Sequence, residues 1–181
     1  MKYLLLFLKL TLRYLLKPLS FVPAVTVMVM IFYFSSQPAE ESAAQSQYIT
    51  RRVVTKIDST FDMEWSDEQI AIYEIRLEHY IRKAAHMAEY FLLAFTLAVP
   101  LYVYGVRGAK LILTAGIICV LYAVSDEFHQ SLVSGRGPAL KDVCIDSAGA
   151  LIGLLLGHFL SWLGSATLFR PLRLHRHRQV Q

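Results

Sequence analysis

The feature that most constrains this chain is a series of long apolar stretches, the first of which runs from Leu19 to Phe34 without a charged side chain. A helix rises about 1.5 Å per residue, so about twenty residues are needed to cross a hydrocarbon layer roughly 30 Å thick. On that measure the sequence predicts four transmembrane helices, at approximately 19–36, 84–104, 111–130 and 143–163. Pro100 falls at the far end of the second, where a kink is expected. The third reaches full length only if its helix includes Asp126, His129 and Gln130. Those polar groups are therefore expected inside the membrane boundary. The fold class is an all-α, polytopic four-helix transmembrane bundle, formed as a single domain over residues 1–181.

Residues 1–18 carry Lys2, Lys9, Arg13 and Lys17 on one helical stripe among Leu, Phe and Tyr, which predicts a basic interfacial helix. Ser36-Gln37-Pro38-Ala39 loosely resembles a signal-peptide cleavage region, but the seventeen-residue basic lead-in is long for that role. Arg107 and Lys110 lie between spans two and three. Arg170, Arg173, Arg176 and Arg178 fall in a basic tail over 164–181. Four spans put all three basic groups on one face, which places both termini in the cytoplasm. The excess of base is then a membrane-surface feature, and no nucleic-acid motif accompanies it. Ala39 to Glu78, with nine acids against four bases, falls on the other side. That segment has no Gly or Pro from Glu40 to Val99, and Ser66 with Gln69 forms a capping-box pattern. A helix opening there is expected to run on into span two.

Three polar groups interrupt the apolar pattern. Helical spacing puts Lys83, His86 and Tyr90 on one stripe with Glu89 at its shoulder. Tyr122, Asp126, His129 and Gln130 share a face, with Glu127 beside them. Arg136 follows in Ser134-Gly135-Arg136-Gly137-Pro138, with Asp142 and Asp146 one turn apart beyond it. In the four-span topology all of these fall at about one depth, near the exterior leaflet. Ionisable groups there are costly unless they pair or line a wet cavity, so they mark a candidate site. Gly149, Gly153 and Gly157 repeat at four-residue intervals beside Asp142 and Asp146, a pattern that lets a neighbouring helix approach closely. Glu127, Gln130 and Arg82 fall nearest the water boundary, where solvated helix ends are usual.

Ile81-Arg82-Lys83-Ala84-Ala85-His86-Met87-Ala88-Glu89-Tyr90 and Ser125-Asp126-Glu127-Phe128-His129-Gln130 together resemble motifs of the VanZ-like membrane protein family. So do Gly135-Arg136-Gly137, Lys141-Asp142-Val143, the Gly149/Gly153 helix and the Phe34-Ser35-Ser36-Gln37 exit from span one. The resemblance covers roughly Phe32 to Gly157. Asp146 departs from it, since Asn is expected there. The resemblance implies a bacterial cytoplasmic (inner) membrane protein, in a family whose named member is associated with resistance to the glycopeptide teicoplanin.

Two classes of function fit these residues. In the first, His86 or His129 is a general base oriented by Glu89 or Asp126. Lys83, Tyr90, Glu127, Gln130, Arg136, Asp142 and Asp146 would then hold an amphiphilic cell-envelope substrate, such as a lipid-linked precursor. No cofactor is needed for this, although His86, His129, Asp126 and Asp142 offer donors for a divalent metal as an alternative. In the second class the same groups bind or shield a glycopeptide or its lipid-linked target without catalysis. A purely structural ion-pair network is the plainest alternative to both.

Overall fold

The computed structural model describes the backbone of residues 17–167 and the side chains of residues 17–159. Residues 1–16 of the expected interfacial helix over 1–18, and the part of the expected 164–181 tail beyond Thr167, lie outside the described residues. Among those described there are five α-helices and no strand: α1 (Val22–Ser35), α2 (Ala39–Phe61), α3 (Asp67–Val103), α4 (Ala109–Gln130) and α5 (Leu140–Thr167). A 3-10 turn over Pro18–Phe21 leads into α1. Pro38, in extended backbone, separates α1 from α2.

α2 ends at Asp62, whose backbone is left-handed (φ 47°), and Glu64 is left-handed too. The Asp58 carboxylate accepts the Trp65 N–H at 3.0 Å and ties this turn together. Ser66 then caps α3. Its hydroxyl accepts the Gln69 N–H, and the Gln69 side chain accepts the Ser66 N–H at 2.9 Å. Both halves of the expected capping box are present. The helix it opens continues for 37 residues into the apolar stretch, as its composition led us to expect. Pro100 sits within its last turn, and the Tyr104 N–H closes on the Pro100 carbonyl.

At 37 residues α3 is about 55 Å long, well beyond the roughly 30 Å of hydrocarbon. Its first half pairs with α2 in a hairpin that buries Thr50 and Val54. Its second half is the centre of a bundle with α1, α4 and α5. α3 and α5 run parallel: Lys83 meets Asp142, Met87 meets Gly149 and Phe91 meets Gly153. A Cβ on Gly149 would lie 2.3 Å from the Met87 carbonyl oxygen, and one on Gly153 would lie 2.5 Å from that of Phe91. Only glycine permits backbones this close. Gly157 is different, because its nearest neighbour is the Phe95 ring at 3.6 Å.

The bundle is apolar on the outside and small or polar within. Ala94, Ala115, Ala123 and Ala150 are buried, while Val29, Leu113, Leu121 and Phe128 are more than half exposed. Asp126, Glu127, Gln130 and Asp146 are among the most buried polar side chains. Large exposed aliphatics around buried acids suit a lipid solvent and would be unstable in water. Three helical stretches among the described residues are long and apolar enough to cross a membrane: Pro18–Ser35, Asp67–Val103 and Ala109–Gln130. The fourth expected span falls on α5, where side chains beyond residue 159 lie outside the described residues.

Replacing Gly149 or Gly153 with Ala should force α5 away from α3 and cost roughly 1–3 kcal/mol, the usual range for overpacking. Gly157→Ala should cost much less. Thermal unfolding of the three variants in detergent checks the ranking.

Candidate functional site

The polar residues collect at the end of the bundle where α1 finishes and α5 begins. At its outer rim, Lys83 of α3 is ion-paired with Asp142 of α5, each side chain retaining about a quarter of its exposure. Just above, Glu78 and Arg82 form an i,i+4 pair, and both bond the Ser46 hydroxyl of α2. Burial raises the Glu78 carboxyl, but the hydrogen bonds from Ser46 and Arg82, with the Arg82 charge, outweigh it and hold the group below its ordinary value.

The loop between α4 and α5 closes over this rim. The Ala39 N–H donates to the Ser134 carbonyl at 3.3 Å, docking the loop on the start of α2. Gly135 adopts φ +77° there, and a Cβ would come within 3.0 Å of Ala39. At the loop's other end the Ala139 N–H donates to the Glu127 carboxylate at 2.5 Å. Glu127 is thus the post that holds the loop. Between these two anchors stands Arg136, only partly exposed. No carboxylate lies within 4 Å of its guanidinium among the described residues. Burial and Arg82 lower its pKa, while Asp126, Glu127 and Glu89 act in the opposite direction. An arginine nevertheless stays charged.

His86 Nδ1 lies 3.7 Å from Glu89 Oε2, an electrostatic contact longer than a hydrogen bond. Asp126 is knitted into α1: its Oδ2 accepts the Ser35 hydroxyl at 2.9 Å and the Gln130 amide at 3.0 Å. One turn earlier the Tyr122 hydroxyl donates to the Met28 carbonyl of α1 at 2.6 Å. His129 stacks on Phe32 in the same α1–α4 seam, with ring centroids 4.3 Å apart. No hydrogen bond or ring contact joins it to His86. Tyr90 and Asp146 are buried in the interior, at 0% and 3% exposure.

The residues singled out in the sequence thus fall into three places. Lys83, Asp142, Arg136 and Glu127 form the rim. His86, Glu89, Tyr90, Asp126 and Asp146 lie beneath it. His129 occupies the seam, with Gln130 bridging the interior to Ser35. Glu127 and Gln130, expected near solvent, are buried at 7% and 8% because one anchors the loop and the other bonds Ser35. Sequence reasoning passed over Ser46 and Glu78. The four-residue step from Glu78 to Arg82 was the available signal for that pair. Among the described residues, no three His, Cys, Asp or Glu side chains are grouped to hold a metal ion.

An all-helical membrane protein with an ionic rim and a buried acidic interior at one end of its bundle is the class these features define. The family model of VanZ/LLP1 matches residues 20–161, and the chain belongs to that family. No curated protein and no solved structure gives a significant match.

Two outcomes follow from the rim. Lys83→Ala should destabilise the protein by somewhat less than the roughly 3–5 kcal/mol of a fully buried pair, and Lys83→Ala with Asp142→Asn should recover most of that loss. Unfolding of the single and double variants measures the difference. Because the folded Glu78 carboxyl is held below 4.5, its stabilising effect is complete above that pH and fades as pH falls through the folded value. Glu78→Gln should flatten that acid-side loss in a pH series of thermal midpoints.

Proposed function

We propose that this protein binds the anionic headgroup of an amphiphilic cell-envelope molecule at the exterior leaflet of the bacterial cytoplasmic membrane. In this reading the chain crosses the bilayer four times with both termini inside. The α2–α3 hairpin then stands outside, and Arg136 is the headgroup's anchor. The observation that carries the proposal is the contrast between the two rim cations. Lys83 is neutralised by Asp142, whereas Arg136 is held by a braced loop with no carboxylate in contact. A planar guanidinium with free N–H groups suits a phosphate or carboxylate. Teicoplanin-type resistance would follow if the bound molecule were the glycopeptide or the lipid-linked precursor that it targets.

A second reading makes the site catalytic. His86 beside Glu89 supplies a base and a carboxylate to orient it, close below the rim. A bound headgroup that draws the two within hydrogen-bond distance would complete the arrangement.

Binding of dodecyl phosphate to the full-length protein in phosphatidylcholine nanodiscs tests the proposal. Arg136→Gln should weaken it by about tenfold or more, the worth of a charge-assisted bidentate contact, and Arg136→Lys should restore it only in part. Undiminished binding by Arg136→Gln contradicts the assignment. Teicoplanin susceptibility of cells expressing Arg136→Gln and His86→Gln separates the two readings. Binding alone requires Arg136, and catalysis requires both.

A further inference from the structure

Beneath the Lys83–Asp142 pair lies a second polar layer whose acids no lysine or arginine contacts among the described residues. Glu89 and Tyr90 enter it from α3, Asp126 from α4 and Asp146 from α5. Asp126 is satisfied by the neutral Ser35 and Gln130. Glu89 Oε2, Asp146 Oδ1 and the Tyr90 hydroxyl are closed off from solvent and have no hydrogen-bond partner among the described residues. The strongest charges acting on Asp146 are those of Asp126, Asp142, Glu89 and Glu127, all of them acids. Of the cations nearby, Lys83 is engaged with Asp142 and Arg82 with Glu78, while Arg136 on the loop above acts on Glu89 and Asp126 without contacting either, and His86 Nδ1 stands 3.7 Å from Glu89 Oε2.

Tyr90 makes this more than a group of acids. It is fully buried, and its hydroxyl interacts electrostatically with Asp126, Asp146 and Glu89 while bonding to none of them. Three unsatisfied polar atoms from two helices thus lie within electrostatic reach of one another in the interior, and the α3–α5 register that sets them is fixed by Gly149 and Gly153. An occupant that brings positive charge and several hydrogen-bond donors would satisfy these atoms with the acids ionised. A metal ion is the poorer fit, since among the described residues no three carboxyl or imidazole side chains are grouped at coordinating range. An ammonium needs only hydrogen-bond spacing, roughly 2.7–2.9 Å to each oxygen, and it has three N–H donors.

We propose that this layer binds the primary ammonium of a membrane amphiphile whose amine lies close to its hydrocarbon chain. Depth supports that detail. Glu89 lies six residues beyond Lys83, about 9 Å deeper along α3. In the four-span reading, a group reaching it has already entered the hydrocarbon zone. The proposal rests on the headgroup reading only in giving one molecule both charges, an amine in the interior and an anion at Arg136.

The full-length protein in phosphatidylcholine nanodiscs is titrated with dodecylamine, dodecanol and dodecyl phosphate, with empty nanodiscs subtracted. These probes share a chain and differ in head. Dodecylamine should bind about tenfold tighter than dodecanol, equivalent to one good charged contact, and raise the thermal midpoint further. Asp146→Asn and Glu89→Gln should each remove most of that preference, and Tyr90→Phe a smaller part. Equal binding of amine and alcohol by the native protein overturns the proposal, whether or not the variants fold. So does a preference that Asp146→Asn and Glu89→Gln leave intact. Dodecyl phosphate reports on Arg136 separately, so the two readings fail independently.

Discussion

The close approach of α5 to α3 sets most of what surrounds it. Gly149 and Gly153 let the α5 backbone rest against the Met87 and Phe91 carbonyls, so the two helices have one register available to them. That register brings Asp142 to Lys83 and puts Asp146 in the same interior as Glu89 and Tyr90. It also fixes where α5 begins, and hence where the Arg136 loop must cross. Close packing of small residues is the main source of helix adhesion in lipid, where no hydrophobic driving force separates one apolar surface from another. The chain uses that contact to hold charged groups that would otherwise repel or find water.

The second constraint is the solvent. In water, the exposed Leu121 and Phe128 beside a buried Asp126 would be an inverted protein. In a bilayer the same arrangement satisfies both sides. The helices close their own backbone hydrogen bonds, and the polar side chains turn inward towards each other. α1 joins the structure through polar contacts as much as packing, with Ser35 on Asp126 and Gln130 and the Met28 carbonyl on Tyr122. With its first half, α3 exceeds the length that crossing a bilayer needs, and α2 folds along that half through Ser46, Glu78 and Arg82.

Much of this was legible in the sequence, for identifiable reasons. Apolar length located α1, α3 and α4. The Ser66/Gln69 pair marked the start of α3, and the glycine spacing marked the face that α3 meets. Counting spans put Lys83, His86, Asp126 and Asp142 at one expected depth, and the structure has them at one end of the bundle. What stayed hidden depends on rotation and on loops, which spacing does not encode. Asp126 and His129 lie three residues apart on α4, yet one bonds Ser35 while the other stacks on Phe32. Glu127 looks like a solvated helix end until the α4–α5 loop returns Ala139 to it. That Lys83 is paired and Arg136 is not was equally invisible, because it depends on the loop's path over the rim.

The central claim is that Lys83, Arg136 and the acids around them sit together at the exterior face, away from the α3–α4 turn. Single cysteines at Arg136 and at Arg107, each in a Cys119→Ala, Cys144→Ser background, can be probed in intact cells with a membrane-impermeant thiol reagent. Arg136→Cys should label in intact cells, while Arg107→Cys should label only after permeabilisation. Labelling of both from the same side would contradict the account.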